Sequence, residues 1–221
     1  MNIFLDIETI PSQRPDVRAL VAANVAPPAT MSKPETIAKW EAEAKPAAVE
    51  KALHATGLSG TFGEVFCIAW AVEDGPIECA WRQSIDSGED EVLRAFFKGL
   101  QDAWSDRDRF TFVGHYITGF DLRFLWQRAV VNRIRPAYRF PFDAKPWDSS
   151  VFDTCIQWAG VKGGISQDDL CRALNIDCKD GIDGSMVWDL VKAGEYEKVA
   201  EYCKGDVDRV RQIYWRMLFA A

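Results

Sequence analysis

Apolar and polar residues alternate through Ile3-Phe4-Leu5-Asp6-Ile7-Glu8-Thr9, and this pattern predicts a β-strand. Ile3, Leu5 and Ile7 share one face, while Phe4, Asp6 and Glu8 share the other. Apolar residues on both faces mark a strand covered on both sides, central in its sheet. Glu64 to Val72 reads as a second strand with buried faces. Ile77 to Gln83 reads as a third, joined to the second as an antiparallel hairpin through Asp74-Gly75-Pro76. Val92, Leu93, Phe96, Phe97 and Leu100 recur at helical spacing and predict an amphipathic helix over 90–104. A fourth strand over 110–113 ends at Gly114-His115, followed by a helix from about Gly119 to Val131. A short fifth strand is expected over 151–156. Helices are expected over 166–174, 185–192 and 195–218, with a loop over 181–184.

Between the first two strands, residues 11–60 change character. Pro27-Pro28, Pro34 and Pro46 punctuate an Ala-rich, charged segment, in which Ile37, Trp40 and Ala44, then Val49 and Leu53, predict two short helices separated near Pro46. A connection this long is usually more than a loop, and the segment reads as a helical insertion. The whole pattern describes an α/β domain around a mixed five-stranded sheet flanked by helices. The 221 residues suit one large domain with that insertion inside it.

A hydrophobic content of 48% with 27% charged residues is that of a soluble globular chain. The net charge of -7 argues against indiscriminate polyanion binding, yet allows a nucleic-acid enzyme whose acidic site is neutralised by metal ions. The six cysteines contain no C-x-x-C pair, and with only His54 and His115 no zinc pattern emerges. They read as reduced core thiols, consistent with a cytoplasmic protein. No leader-like start and no long apolar run occurs, so no membrane association is expected.

The chemistry begins with Asp6 and Glu8. Two carboxylates on one face of a buried strand raise one another's pKa, and a divalent cation would offset that; the plainer alternative is a strand end running into a polar turn at Pro11. In the last helix the apolar stripe runs Val199, Cys203, position 206, Val210, Ile213 and Met217, and position 206 is Asp206. A carboxylate on a core face must be paired, protonated or bound to metal. Tyr202 projects from the same face one turn earlier. Gly205, which costs a helix about 1 kcal/mol, suggests a close backbone approach there. Asp121, in Gly114-His-Tyr-Ile-Thr-Gly-Phe-Asp121, is the third acidic position. Taken alone it reads first as half of a capping box with Thr118; a Gly-rich turn that brings it to the strand ends gives the site reading its weight.

Asp6-Ile-Glu8-Thr9, Gly-Phe-Asp121 and Tyr202-Cys-Lys-Gly-Asp206 together resemble the three exonuclease motifs of the DEDD superfamily on a ribonuclease H-like fold. The Tyr-x-x-x-Asp form is that of the DEDDy branch; Glu201 stands where the histidine branch would carry its His. The chain looks most like 3′–5′ exonucleases related to the proofreading domain of family B DNA polymerases. Further similarity lies in Asp153-Thr154, the Leu170 to Ile176 helix, and the Asp183-Gly-Ser and Ala-Gly-Glu195 stretches. The resemblance covers the first strand and nearly everything from residue 64 onward. It departs at Tyr116, where the family commonly has Asn, and in the length of segment 11–60.

The resemblance implies hydrolysis of single-stranded DNA from its 3′ end, with release of 5′-mononucleotides. An RNA-trimming exoribonuclease of the same chemistry, or a non-catalytic nucleic-acid-binding module, are the alternatives. It implies two Mg²⁺ or Mn²⁺ ions held by Asp6, Glu8, Asp121 and Asp206, with Tyr202 orienting the attacking water. Thr9, Ile10, Tyr116 and Phe120 would meet the substrate, the first two through the backbone around Thr9. A basic and aromatic stretch (Arg128, Arg133, Arg135, Arg139 and Lys145 among Tyr138, Phe140, Phe142 and Trp147) suits phosphate contacts and base stacking, or equally a solvated loop with packed aromatics.

Overall fold

The computed structural model describes residues 1–104, 109–136, 140–145, 147–178 and 181–220. The chain divides into two compact units, one formed by Met1–Glu8 with Val65–Ala221 and the other by Thr9–Glu64.

The larger unit is built on a five-stranded mixed sheet. Its strands are β1 (Asn2–Ile10, which runs on into the smaller unit), β2 (Glu64–Val72), β3 (Glu78–Trp81), β4 (Thr111–Gly114) and β5 (Val151–Asp153). The spatial order is β3-β2-β1-β4-β5, so β1 is central as its two-sided apolar pattern requires. β1 and β4 run parallel with Phe4 opposite Val113, and β4 and β5 run parallel with Gly114 opposite Asp153. β2 and β3 form the expected antiparallel hairpin.

In the smaller unit, α1 (Pro15–Asn24), α2 (Pro34–Glu43) and α3 (Lys45–Ala55) precede a short 3-10 turn at Thr56–Leu58. Two of these helices match the expected pair, and Pro34 and Pro46 sit in their first turns, where a missing N–H costs nothing. α1 was not expected, because Val17 is its only buried residue and no apolar stripe marks it.

The remaining helices are α4 (Glu89–Ala103), α5 (Asp121–Val131), α6 (Thr154–Ala159), α7 (Gln167–Leu174), α8 (Val187–Lys192) and α9 (Tyr196–Met217). Ile3, Leu5 and Ile7 pack into one apolar cluster with Phe96 of α4 and Leu122 and Leu125 of α5. On the other sheet face, Phe4 meets Tyr214 edge-on at 5.4 Å, so α9 covers the side that carries Asp6 and Glu8. Such a ring pair adds about 0.5–1.5 kcal/mol beyond its buried area. α7 and α8 pack in turn against α9.

The fifth strand is shorter than expected. Asp153 ends it by accepting the N–H groups of Cys155 and Ile156, which caps α6 where strand was foreseen up to residue 156. Among the described residues, no helix is long and apolar enough to cross a membrane. All six cysteines are free thiols.

Candidate metal centre and active site

β1 and α9 bring together the acidic residues of the first and last motifs. Oxygens of Asp6, Glu8 and Asp206, one from each, lie within 4.8 Å of one another. Glu8 and Asp206 are buried, and Asp6 is partly so. The strand period puts Asp6 and Glu8 on the face toward α9, and the helical stripe of α9 turns Asp206 back toward them.

This crowding is electrostatically unfavourable for the bare protein. Burial, followed by the charges of Asp206, Glu8 and Asp121, pushes the Asp6 carboxyl well above the usual carboxylate range. The Cys203 thiol works the other way. Its Sγ donates to Asp6 Oδ2 at 3.4 Å and lies equally near the Asp6 carbonyl oxygen. Burial pushes that thiol up, so it stays a donor. Nothing in the sequence pattern distinguished Cys203 from a core thiol.

Asp121 opens α5 and is buried. Burial pushes its carboxyl up to about 8, the nearby Asp153 and Asp206 charges adding to the rise and backbone N–H groups of Asp121 and Ile7 opposing it. The capping-box alternative does not hold. Phe120 occupies the cap position with no side-chain cap, and the Thr118 hydroxyl instead donates to Asp153 Oδ2 at 2.6 Å. Asp153 is the organising residue of this corner. Its Oδ1 accepts the N–H groups of Tyr116, Cys155 and Ile156, and its Oδ2 the N–H and O–H of Thr118. It thereby ties the turn before Asp121 to the start of α6.

Tyr202 is half-buried on α9. Burial, then the charges of Asp206, Glu8 and Asp6, push its phenol far above its ordinary value, so it is a neutral hydroxyl at working pH. A cleft of about 530 Å³ opens beside it, lined also by Arg209, Gly205, Glu201 and Lys198. Arg209 donates to Asp206 Oδ1 at 2.8 Å, and its guanidinium lies back over Gly205. A Cβ at 205 would stand 3.2 Å from the two Nη atoms, so the close approach inferred at this glycine is made by a side chain and not by backbone.

The remaining expected contact residues divide. Tyr116 is exposed, and Phe120 is partly buried with its ring 5.3 Å from Phe124. Thr9 and Ile10 belong to the smaller unit. The Thr9 hydroxyl donates to the Gly57 carbonyl at 2.7 Å, and the Ile10 side chain is wholly buried, so it offers a substrate no side-chain contact.

In the basic and aromatic stretch, the reading as a solvated loop with packed aromatics holds for Phe140 and Phe142, and Arg128 leaves the surface altogether. Arg128 is buried in an ion pair with Glu89, whose carboxylate also accepts Val65 N–H and Asn132 Nδ2. Phe140 packs edge-on against Phe97 and Phe112, and Phe142 stacks on Trp126 at 4.1 Å. Arg133, Arg135, Lys145 and Trp147 are exposed. Tyr138 and Arg139 lie outside the described residues.

The donor set of the cluster is all carboxylate oxygen, desolvated and mutually repelling, which fits a hard divalent cation such as Mg²⁺ or Mn²⁺ and not a soft one. Comparison with curated proteins returned no match. Among solved structures, the family B DNA polymerase of the hyperthermophilic archaeon Pyrobaculum calidifontis superposes with a TM-score of 0.57 at 15% identity. The match covers 99% of this chain and 24% of the polymerase chain, and it shows the fold, a ribonuclease H-like mixed sheet flanked by helices. Residues 61–221 match the family described as "Predicted 3'-5' exonuclease related to the exonuclease domain of PolB". That span contains Asp121, Tyr202 and Asp206, while Asp6 and Glu8 precede it. The chain therefore belongs to this family of predicted 3'-5' exonucleases related to the PolB exonuclease domain.

Proposed function

We propose that this chain is a metal-dependent 3′–5′ exonuclease that hydrolyses single-stranded DNA from its 3′ end and releases 5′-mononucleotides. The observation that carries this reading is the convergence of Asp6, Glu8 and Asp206 oxygens within 4.8 Å, from opposite ends of the chain. Two Mg²⁺ or Mn²⁺ ions, held by Asp6, Glu8, Asp121 and Asp206, would supply a nucleophile at neutral pH and stabilise charge on the attacking and leaving oxygens.

The protein's own groups do the positioning. Tyr202, neutral and facing the cluster, hydrogen-bonds the attacking water and fixes its direction; its raised pKa suits it to orienting a water and not to taking its proton. Cys203 holds the Asp6 carboxylate through its thiol, and Arg209 holds one oxygen of Asp206. Asp153 sets the turn that delivers Asp121. With a net charge of -7, the chain needs the ions to bring a polyanion to this face.

Matched DNA and RNA oligonucleotides of one sequence, labelled at the 5′ end and incubated with Mg²⁺, Mn²⁺ or chelator, test the reading. Stepwise shortening of DNA from the 3′ end, abolished by chelator, is the expected result. Equal or faster shortening of RNA would replace the substrate assignment, and no shortening of either would remove the activity.

A further inference from the structure

The turn between β4 and α5 exposes a tyrosine in a backbone conformation that tyrosine rarely adopts. Tyr116 has φ +57°, and 56% of its surface is open to solvent. The conformation is held from both sides. Its N–H donates to Asp153 Oδ1 at 3.0 Å, and its carbonyl accepts the N–H groups of Gly119 and Phe120 at 3.0 and 3.1 Å. The ring lies back on Gly119, where an added Cβ would come within 2.3 Å of the ring Cζ.

Neither folding need accounts for this side chain. A ring this exposed does not fill the core, and Gly or Asn would make the same left-handed turn with less strain. Strain retained at a turn beside a reactive cluster points to a ligand. One side of the ring rests on Gly119 while more than half of the residue is open to solvent, which suits a stacking platform. Its position suits that use. With Phe4 opposite Val113 in parallel register, the chain beyond Gly114 runs alongside the Asp6–Glu8 end of β1. The same turn ends at Asp121.

We propose that Tyr116 is the platform on which the base of the 3′-terminal nucleotide stacks, which rests on the exonuclease reading above. A neutral ring attracts the flat, uncharged base and leaves the phosphate to the acidic cluster. Every nucleobase has a π-face, so the contact tolerates sequence. It needs a base with a free face, and therefore selects a single-stranded or frayed 3′ end over a fully paired one.

The test uses the full chain as wild type, Tyr116→Phe and Tyr116→Asn; Asn suits the left-handed turn, so the fold is kept. Oligonucleotides end in thymidine or in an abasic tetrahydrofuran nucleotide, and steady-state rates are measured with Mn²⁺. Removing the base should raise KM roughly tenfold or more for wild type and Tyr116→Phe, and leave Tyr116→Asn indifferent. The kcat of Tyr116→Asn should stay within about twofold of wild type. An equal penalty for base removal in Tyr116→Asn and wild type overturns the proposal. Quenching of a 3′-terminal 2-aminopurine, titrated with protein in chelator, gives a readout independent of turnover. Quenching by wild type but not Tyr116→Asn, without hydrolysis in Mn²⁺, keeps the platform and overturns the exonuclease. Hydrolysis with equal quenching by both proteins overturns the platform and keeps the exonuclease.

Discussion

Arg209 and Asp206 form an ion pair across one turn of α9, Nη2 to Oδ1 at 2.8 Å, with side-chain exposures of 13% and 5%. The guanidinium is a fixed positive charge at the edge of a carboxylate cluster that repels itself. Arg209→Leu should therefore destabilise the chain by about 2 kcal/mol in chelator, since it leaves a buried carboxylate short of its counter-charge. Saturating Mn²⁺ should shrink that deficit. Urea denaturation with and without the ion measures both, and an equal deficit in the two conditions would contradict the assignment.

Tyr202 is a neutral phenol that feels the charges of the same cluster. Tyr202→Phe removes one hydroxyl and little volume. The expected outcome is a fall in kcat of about 10²-fold or more with KM changed only modestly, the pattern of an interaction made mainly in the transition state. Wild-type turnover in this variant would discard the water-orienting role.

Asp153 accepts five hydrogen bonds from two separate stretches of chain. Asp153→Asn turns acceptor capacity into donors and leaves N–H groups facing N–H groups. A loss of about 2–4 kcal/mol is expected, with reduced activity because Asp121 loses its supporting turn. Thr118→Val, which removes a single donor, should cost about 1 kcal/mol. Chemical denaturation of the two variants side by side checks the ratio.

Stability without metal should run opposite to the usual carboxylate behaviour. The Asp121 carboxyl is raised by burial to about 8, so the native chain keeps a proton that the unfolded chain releases in the ordinary carboxylate range. Stability present at low pH is then lost as pH rises through that window toward 8. Ion binding needs the proton gone, so apparent Mn²⁺ affinity should climb over the same interval. Urea midpoints in chelator between about pH 5 and 8.5 should fall for wild type and fall less steeply in Asp121→Asn, the remaining slope coming from Asp6, whose carboxyl burial also raises. A wild-type midpoint that rises with pH would contradict the burial of this carboxyl.

Much of the fold could be read from single elements. The alternation at Ile3 to Glu8 belongs to a strand with two covered faces, and β1 is central. Asp206 interrupts an apolar stripe, and the helix turns it inward. These signals are local periodicities, which a sequence displays directly. What could not be read depends on partners far along the chain. Arg128 looks like a surface cation until Glu89 is beside it in the core. Phe140 and Phe142 read equally as stacking or as packed groups until Phe97, Phe112 and Trp126 are seen against them. Asp153 and Cys203 act through the Tyr116–Thr118 turn and Asp6, and no spacing rule links them. Gly205 was visible as an anomaly in a helix, but only the path of Arg209 explains it.

The central claim is that Asp6, Glu8 and Asp206 exist to hold divalent cations, and calorimetric titration of Mn²⁺ into the metal-free protein tests it most directly. Wild type should bind Mn²⁺ with heat and release of protons, while Asp6→Asn and Asp206→Asn, each still folded, should bind at least about tenfold more weakly. Mn²⁺ affinity unchanged in both variants would contradict the account.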